Sequence, residues 1–203
     1  MALKASQRGS VSPFIVMDVM RRSFEREAAG KDALHLEVGQ PATAAPQRVR
    51  DAAKHAIDTN KIGYTAALGL PELRAKLAAH YGSSYNVDVS PNQIVITTGS
   101  SPGFSLAFLA AFDVGDRVAL AAPGYPAYKN ILHALGLNAV MIETGPETRF
   151  QPTVDVLEQY FASGGDALDG LIVASPANPT GTMLDESSLR TLTEYCQERG
   201  IRL

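Results

Sequence analysis

Leu171-Ile172-Val173-Ala174-Ser175-Pro176-Ala177-Asn178-Pro179-Thr180-Gly181 decides how this chain is read. Four apolar residues make a short buried strand, and a polar, sharply turning loop follows at once. The two prolines fix φ and remove backbone donors, while Gly181 permits a turn, so Asn178 is held in a rigid frame. In open α/β sheets ligands bind outside the carboxyl ends of the strands, where this loop lies, and an amide offers them both a donor and an acceptor. The same residues also read as a proline-rich turn whose asparagine satisfies only local backbone.

Working outward, the residues from Gln93 onward alternate between strand and helix patterns. Strands are expected at Ile94 to Thr98, Arg117 to Ala121, Ala139 to Ile142 and Leu171 to Ala174. Helices are expected at Pro102 to Phe112, Tyr125 to Leu135, Val154 to Ala162 and Glu186 to Arg199. Such a series predicts an α/β fold with a largely parallel sheet covered on both faces. Upstream, Ser12 and Pro13 are placed to open a helix that Gly30 ends, Leu34 to Val38 is a short strand candidate, and Gly39-Gln40-Pro41 is a turn. Pro46 to Asp58 and Glu72 to Tyr81 are helices, with Tyr64 to Gly69 a loop between them. After Gly200, a good helix stop, Ile201-Arg202-Leu203 looks like the opening of one more strand, so the sequence is expected to be a truncated chain.

The 203 residues are 45% hydrophobic and 19% charged with a net charge of -3, an ordinary balance for a folded soluble protein. Lysines and arginines are scattered without a run, which argues against nucleic acid as a partner. The apolar stretch Phe104 to Phe112 is too short to span a bilayer and Met1 to Ser12 lacks an apolar signal core, so a cytoplasmic protein without membrane partner is expected. Cys196, the single cysteine, falls among Leu189, Leu192 and Tyr195 at helical spacing and reads as a buried small apolar residue. No cluster of side chains suggests a metal site.

Two further loops fall at strand ends. Thr98-Gly99-Ser100-Ser101-Pro102-Gly103 opens a helix, so backbone N–H groups, two hydroxyls and the positive end of the helix dipole suit a phosphate. Ser101 serving only as a helix cap is the plainer alternative. The string Gly99-Ser100-Ser101-Pro102-Gly103 also spells the nucleophile elbow of α/β hydrolases, but the residue after that serine must donate an N–H to an oxyanion and Pro102 has none. Pro123-Gly124-Tyr125-Pro126-Ala127-Tyr128 offers aromatic faces, with Tyr125 and then Tyr128 able to stack on a planar ring. A phosphate site, an aromatic face and a fixed amide at one sheet edge together describe a site for a planar phosphorylated heterocycle. A plain phosphate-ligand-binding module could use the same helix end.

These motifs, with Tyr64-Thr65 and Gly69 followed by Leu73-Arg74, resemble the class I and II aminotransferases, pyridoxal-phosphate enzymes of the aspartate aminotransferase fold, fold type I. The resemblance spans nearly the whole chain. It implies a three-layer sandwich around a mostly parallel sheet, with 1–45 as an N-terminal arm and small-domain segment and 46–203 as a partial large domain. It implies pyridoxal 5'-phosphate as cofactor, Asn178 on its phenolic oxygen, Tyr125 stacked on its pyridine ring, and Gly99, Ser100 and Ser101 on its phosphate. It further implies amino acid and 2-oxo acid substrates, Gly39 where the substrate carboxylate docks, and a homodimer in which Tyr64 reaches the neighbouring site. The lysine that binds the cofactor covalently and the acid that keeps the ring nitrogen protonated are implied to lie beyond Leu203. None of Lys4, Lys31, Lys54, Lys61, Lys76 and Lys129 is assigned that role, so the 203 residues alone are expected to be inactive. Carbon-sulfur lyases and aminocyclopropane-carboxylate synthases of the same fold share these contacts.

Overall fold

The computed structural model describes residues 3–60 and 62–203; Lys61 and the first two residues of the N-terminal arm lie outside the described residues. Two compact units make up the chain, one of Gly99–Leu203 together with the arm up to Phe14, the other of Ile15–Thr98.

In the larger unit three strands, β1 (Arg117–Ala122), β2 (Asn138–Glu143) and β3 (Gly170–Ile172), form a parallel sheet in the order β2-β1-β3. β1 is central, and its Val118 stands opposite Ala139 on one side and Gly170 on the other. Side chains alternate along it with the period of two that a strand imposes. Val118 and Leu120 pack with Phe108, Leu132 and Leu137, contributed by α4 (Ser100–Ala111), α5 (Pro126–Leu135) and the turn after α5. Ala119, between them, packs on the other face with Leu157, Leu192 and Cys196 of α6 (Val154–Ala162) and α7 (Glu186–Glu198). A parallel sheet buried on both faces needs apolar residues at every position of its central strand, and Val118, Ala119 and Leu120 meet that demand at no more than 3% exposure. Leu132, Leu157 and Leu192 are wholly buried, each worth about 1.5–3 kcal/mol of transfer free energy.

Local chemistry sets the helix ends. Pro126 occupies the first turn of α5 and Gly136 ends it in the left-handed region at φ 83°. Thr153 and Asp185 cap α6 and α7 by accepting from Val156 N and Ser188 N. The residues after α7 do begin to pair with the sheet: Leu171 N donates to Arg202 O at 2.9 Å, and Arg202 N to Asp169 O at 3.0 Å.

The smaller unit holds α1 (Ile15–Ala28), α2 (Gln47–Thr59) and α3 (Pro71–Tyr85). Here the structure corrects the sequence reading in three places. Leu34–Val38 forms no strand; Leu34 and Leu36 are 89% and 90% exposed, and the segment is instead tied to α1 by His35, 3.0 Å from Glu27, just after Asp32 O accepts from Arg26 Nε at 2.7 Å. Residues 94–98 form no strand, and two of their backbone groups bond elsewhere: Ile96 N donates to Leu68 O at 3.0 Å, and Ile94 O accepts from Arg74 Nε at 2.9 Å. The first helix begins at Ile15, two residues later than Ser12 and Pro13 suggest, and those residues stay with the larger unit, where Ser12 O accepts from Asn130 Nδ2.

Candidate functional site

The loops after β1 and β3 leave neighbouring parallel strands at their carboxyl ends, and together they enclose a cleft. Its lining includes Pro123, Gly124, Tyr125 and Tyr128 from one loop and helix, Ala177 and Asn178 from the other, and Phe150, Gln151 and Pro152 from the segment between β2 and α6. Gly124 is required by close approach, since a Cβ there would overlap the carbonyl oxygen of Ala121. The end of β1 is pinned by Thr144, whose N and Oγ1 both donate to Ala122 O at 2.9 Å.

Tyr125 sits at the N-cap of α5 with its ring held edge-on between two others, Phe14 at 6.1 Å and 89° and Tyr128 at 5.3 Å and 81°. Tyr128 in turn meets Phe104 of α4 at 4.9 Å and 76°. T-shaped pairs of this kind fix ring orientation beyond simple burial. Burial, and then the neighbouring Tyr125, push the Tyr128 phenol above its ordinary range; both rings are half-buried and both line the cleft.

Asn178 is carried by a closed turn. Ala177 N donates to Thr182 O at 2.9 Å, Gly181 N to Ala177 O at 2.8 Å, and Leu184 N to Ser175 Oγ at 3.0 Å. The Ser175–Pro176 and Asn178–Pro179 peptides are cis. Asn178 is exposed at the cleft, as the sequence predicts for a presented amide.

Gly99 is the N-cap of α4 at φ 98°, and Ser100 and Ser101 are exposed in its first turn. The helix therefore starts two residues before Pro102, and Ser101 is not its cap; a glycine at positive φ takes that place at no steric cost. Pro102 follows Ser101 within this first turn, where a missing N–H costs nothing, and the hydrolase elbow lacks its donor. Gly99, Ser100 and Ser101 do not line the cleft itself. The two remaining predicted residues belong to the smaller unit: Tyr64 is fully exposed in the loop between α2 and α3, and Gly39 lies in the irregular segment after α1 with open space where a Cβ would sit.

Sequence reading misses Phe150, Gln151 and Pro152. Gln151 is 1% exposed and places an amide among apolar residues, and nothing in the local pattern marks it. Lys129 is exposed on α5 and does not line the cleft. Among the described residues no group of three or more His, Cys, Asp or Glu side chains is placed to hold a metal ion, and no helix is long and apolar enough to cross a membrane.

The cleft thus brings together an edge-anchored tyrosine and a presented amide, while the helix N-terminus with its two hydroxyls stands outside its lining. This is a parallel α/β sheet with a cleft at the carboxyl ends of its strands. The chain belongs to the class I and II aminotransferase family, whose profile matches residues 31–203. The valine–pyruvate aminotransferase of Mycobacterium tuberculosis is 48% identical over 200 residues, covering 98% of this chain and 50% of that protein. The aspartate aminotransferase of Pyrococcus abyssi is 30% identical over 183 residues, covering 90% and 46% respectively. Among solved structures, an aminotransferase from M. tuberculosis superposes on all of this chain with TM-score 0.91 at 48% identity, using 51% of its own length. The aspartate aminotransferase of Thermus thermophilus with maleate gives TM-score 0.89 at 27% identity, covering 98% of this chain and 52% of its own. The fold is accordingly that of the fold type I aminotransferases, which are pyridoxal-phosphate-dependent enzymes. The chain spans about half the length of the relatives it matches.

Proposed function

We propose that the protein formed by this chain transfers an amino group between an amino acid and a 2-oxo acid, with pyridoxal 5'-phosphate bound at the cleft between the β1 and β3 loops. The observation that carries this reading is the meeting of Tyr125 and Asn178 in one cleft at adjacent strand ends of a class I and II aminotransferase chain. When bound, the cofactor supplies an aldehyde that takes up the amino group and a pyridine ring that withdraws electrons. The chain's own residues hold it: Tyr125 lies against the ring, Asn178 donates to the phenolic oxygen, and Gly99, Ser100 and Ser101 hold the phosphate at the α4 N-terminus. Tyr128 meets Tyr125 edge-on and, lining the same cleft, is the second choice for the ring that lies against the cofactor. Gly39 receives the substrate carboxylate, and Tyr64 reaches the phosphate of the neighbouring subunit of a homodimer. In this reading residues 1–45 belong to the small domain and 46–203 to the cofactor-binding domain of a cytoplasmic enzyme. No lysine of this chain is assigned to covalent attachment or proton transfer, and Lys129 is a solvated surface residue.

Valine and pyruvate are the first pair to assay, because the 48% identical relative is named for them. The test is to express the protein, load it with pyridoxal phosphate, follow cofactor uptake by absorbance, and measure alanine formed from valine and pyruvate. Cofactor uptake with amino-group transfer supports the reading. Uptake with release of ammonia or thiol from an amino acid, and no transfer to any 2-oxo acid, would replace it with a lyase.

A further inference from the structure

Gln151 is the most deeply buried polar side chain among the described residues, and its surroundings explain its direction. It follows Arg149 and Phe150, both in the left-handed region at φ 54° and 56°, a conformation that residues with a Cβ hold only where their surroundings enforce it. The enforcement is visible: Arg149 N donates to Pro146 O at 3.0 Å, Phe150 N to Gly145 O at 2.8 Å, and Gln151 N to Thr148 O at 3.1 Å. This tight turn aims the Gln151 amide at the loop that carries Asn178.

There Nε2 donates to Thr182 O at 2.8 Å and to Thr182 Oγ1 at 3.1 Å, which uses both of its hydrogens. Thr182 O can only accept, so the amide cannot be turned over. The same Thr182 O accepts from Ala177 N at 2.9 Å, and Thr182 Oγ1 lies 2.9 Å from Thr180 Oγ1. Gln151 therefore bonds the closing residue of the turn from Ala177 to Thr182, of which Asn178 is the second residue. Its own Oε1 is buried without a partner. A methionine or leucine would fill the same volume and leave no orphaned carbonyl, so packing does not account for an amide here. What the amide alone supplies is the pair of N–H bonds to Thr182.

We infer that Gln151 is a positioning residue for Asn178: through Thr182 it fixes where the Asn178 amide stands in the cleft, and hence its hydrogen bond to a bound ligand. The ligand half of this inference rests on the proposed contact between Asn178 and pyridoxal phosphate.

The test compares Gln151→Met, which keeps volume and loses both donors, with Gln151→Glu, which keeps shape and only accepts. Hydrogen exchange of the Ala177 and Gly181 amides, measured without cofactor, should accelerate roughly tenfold in both variants, the effect of losing a net hydrogen bond of ordinary strength. In the cofactor-loaded protein, both variants should also move the pH at which the absorbance of bound pyridoxal phosphate changes, in the direction that Asn178→Ala moves it. If Gln151→Met does not fold, Thr182→Val, which removes one acceptor, carries the same two measurements. Unchanged exchange in the donor-less variants would overturn the positioning role. Faster exchange with an unmoved absorbance profile, where Asn178→Ala does move it, would overturn the link from Gln151 to the ligand. An unmoved profile in Asn178→Ala itself would overturn the cofactor contact and leave the hold on the loop to be decided by exchange alone.

Discussion

Nδ1 of His35 lies 2.7 Å from a carboxylate oxygen of Glu37, and its other ring nitrogen lies 3.0 Å from Glu27 on α1. A neutral imidazole has one N–H, so both contacts are hydrogen bonds only when the ring is doubly protonated. The hydrogen bonds to Glu37 and then Glu27 raise the His35 pKa above its ordinary 6.5, while that to His35 lowers the Glu37 pKa below 4.5. A raised histidine stabilises the folded state fully below pH 6.5 and stops doing so as pH rises through its folded pKa. A depressed carboxylate stabilises fully above pH 4.5 and stops as pH falls through its folded value. The pair therefore contributes fully between these limits. The imidazole resonances of His35 are expected to titrate above 6.5 and to move toward 6.5 in Glu37→Gln, and less so in Glu27→Gln. A midpoint indifferent to both substitutions would remove this pairing.

Gly69 is at φ 98°, and a Cβ there would stand 2.6 Å from Cβ of Ile96. Both the backbone conformation and the space exclude a side chain. Gly69→Ala is expected to cost about 2 kcal/mol, combining left-handed strain with overpacking against a β-branched residue. Urea unfolding followed by circular dichroism measures it, and Gly30→Ala is a useful companion, being at positive φ with open space around it.

Tyr125 and Asn178 are expected to separate two kinds of affinity. Tyr125→Ala should weaken pyridoxal phosphate binding about tenfold, the scale of one aromatic contact, whereas Tyr125→Phe should bind nearly as wild type because ring stacking needs no hydroxyl. Asn178→Ala should weaken binding by a similar factor and also alter the absorbance of the bound cofactor, since in the proposed site the amide touches a titrating oxygen. Equilibrium dialysis and absorbance titration read the two effects. Equal losses in Tyr125→Ala and Tyr125→Phe would count against stacking.

Cys196, 1% exposed in the core between β1 and α7, has its thiol pKa pushed up by burial. A protonated, enclosed thiol is a poor nucleophile. Ellman's reagent is expected to find no reactive thiol in the native chain and one per chain in denaturant; rapid labelling of the native protein would contradict the packing of α7.

The alternating half of the chain was legible because each of its elements carries its own signals. α5, α6 and α7 have a proline or a capping side chain at the start, and β1 is a short apolar run between turns. The position of Asn178 and Tyr125 at one cleft was legible for the same reason: both follow the ends of neighbouring parallel strands. Leu34–Val38 and Ile94–Thr98 carry strand-like composition too, and neither forms a strand, because a ladder depends on a neighbour that no local pattern names.

What the sequence by itself determined is therefore the layering and the chemistry at the strand ends, through periodicity, caps and proline-glycine punctuation that act over a few residues. The tertiary structure alone decided that Phe14 and Tyr128 hold the ring of Tyr125 edge-on, that Ser12 and Pro13 remain outside α1, and that the amide of Gln151 reaches thirty-one residues along the chain to Thr182. The contacts of Phe14 with Tyr125, Ser12 with Asn130 and Gln151 with Thr182 join segments distant in sequence. Their energy comes from a partner's burial and hydrogen-bonding groups, which exist only once the chain has folded.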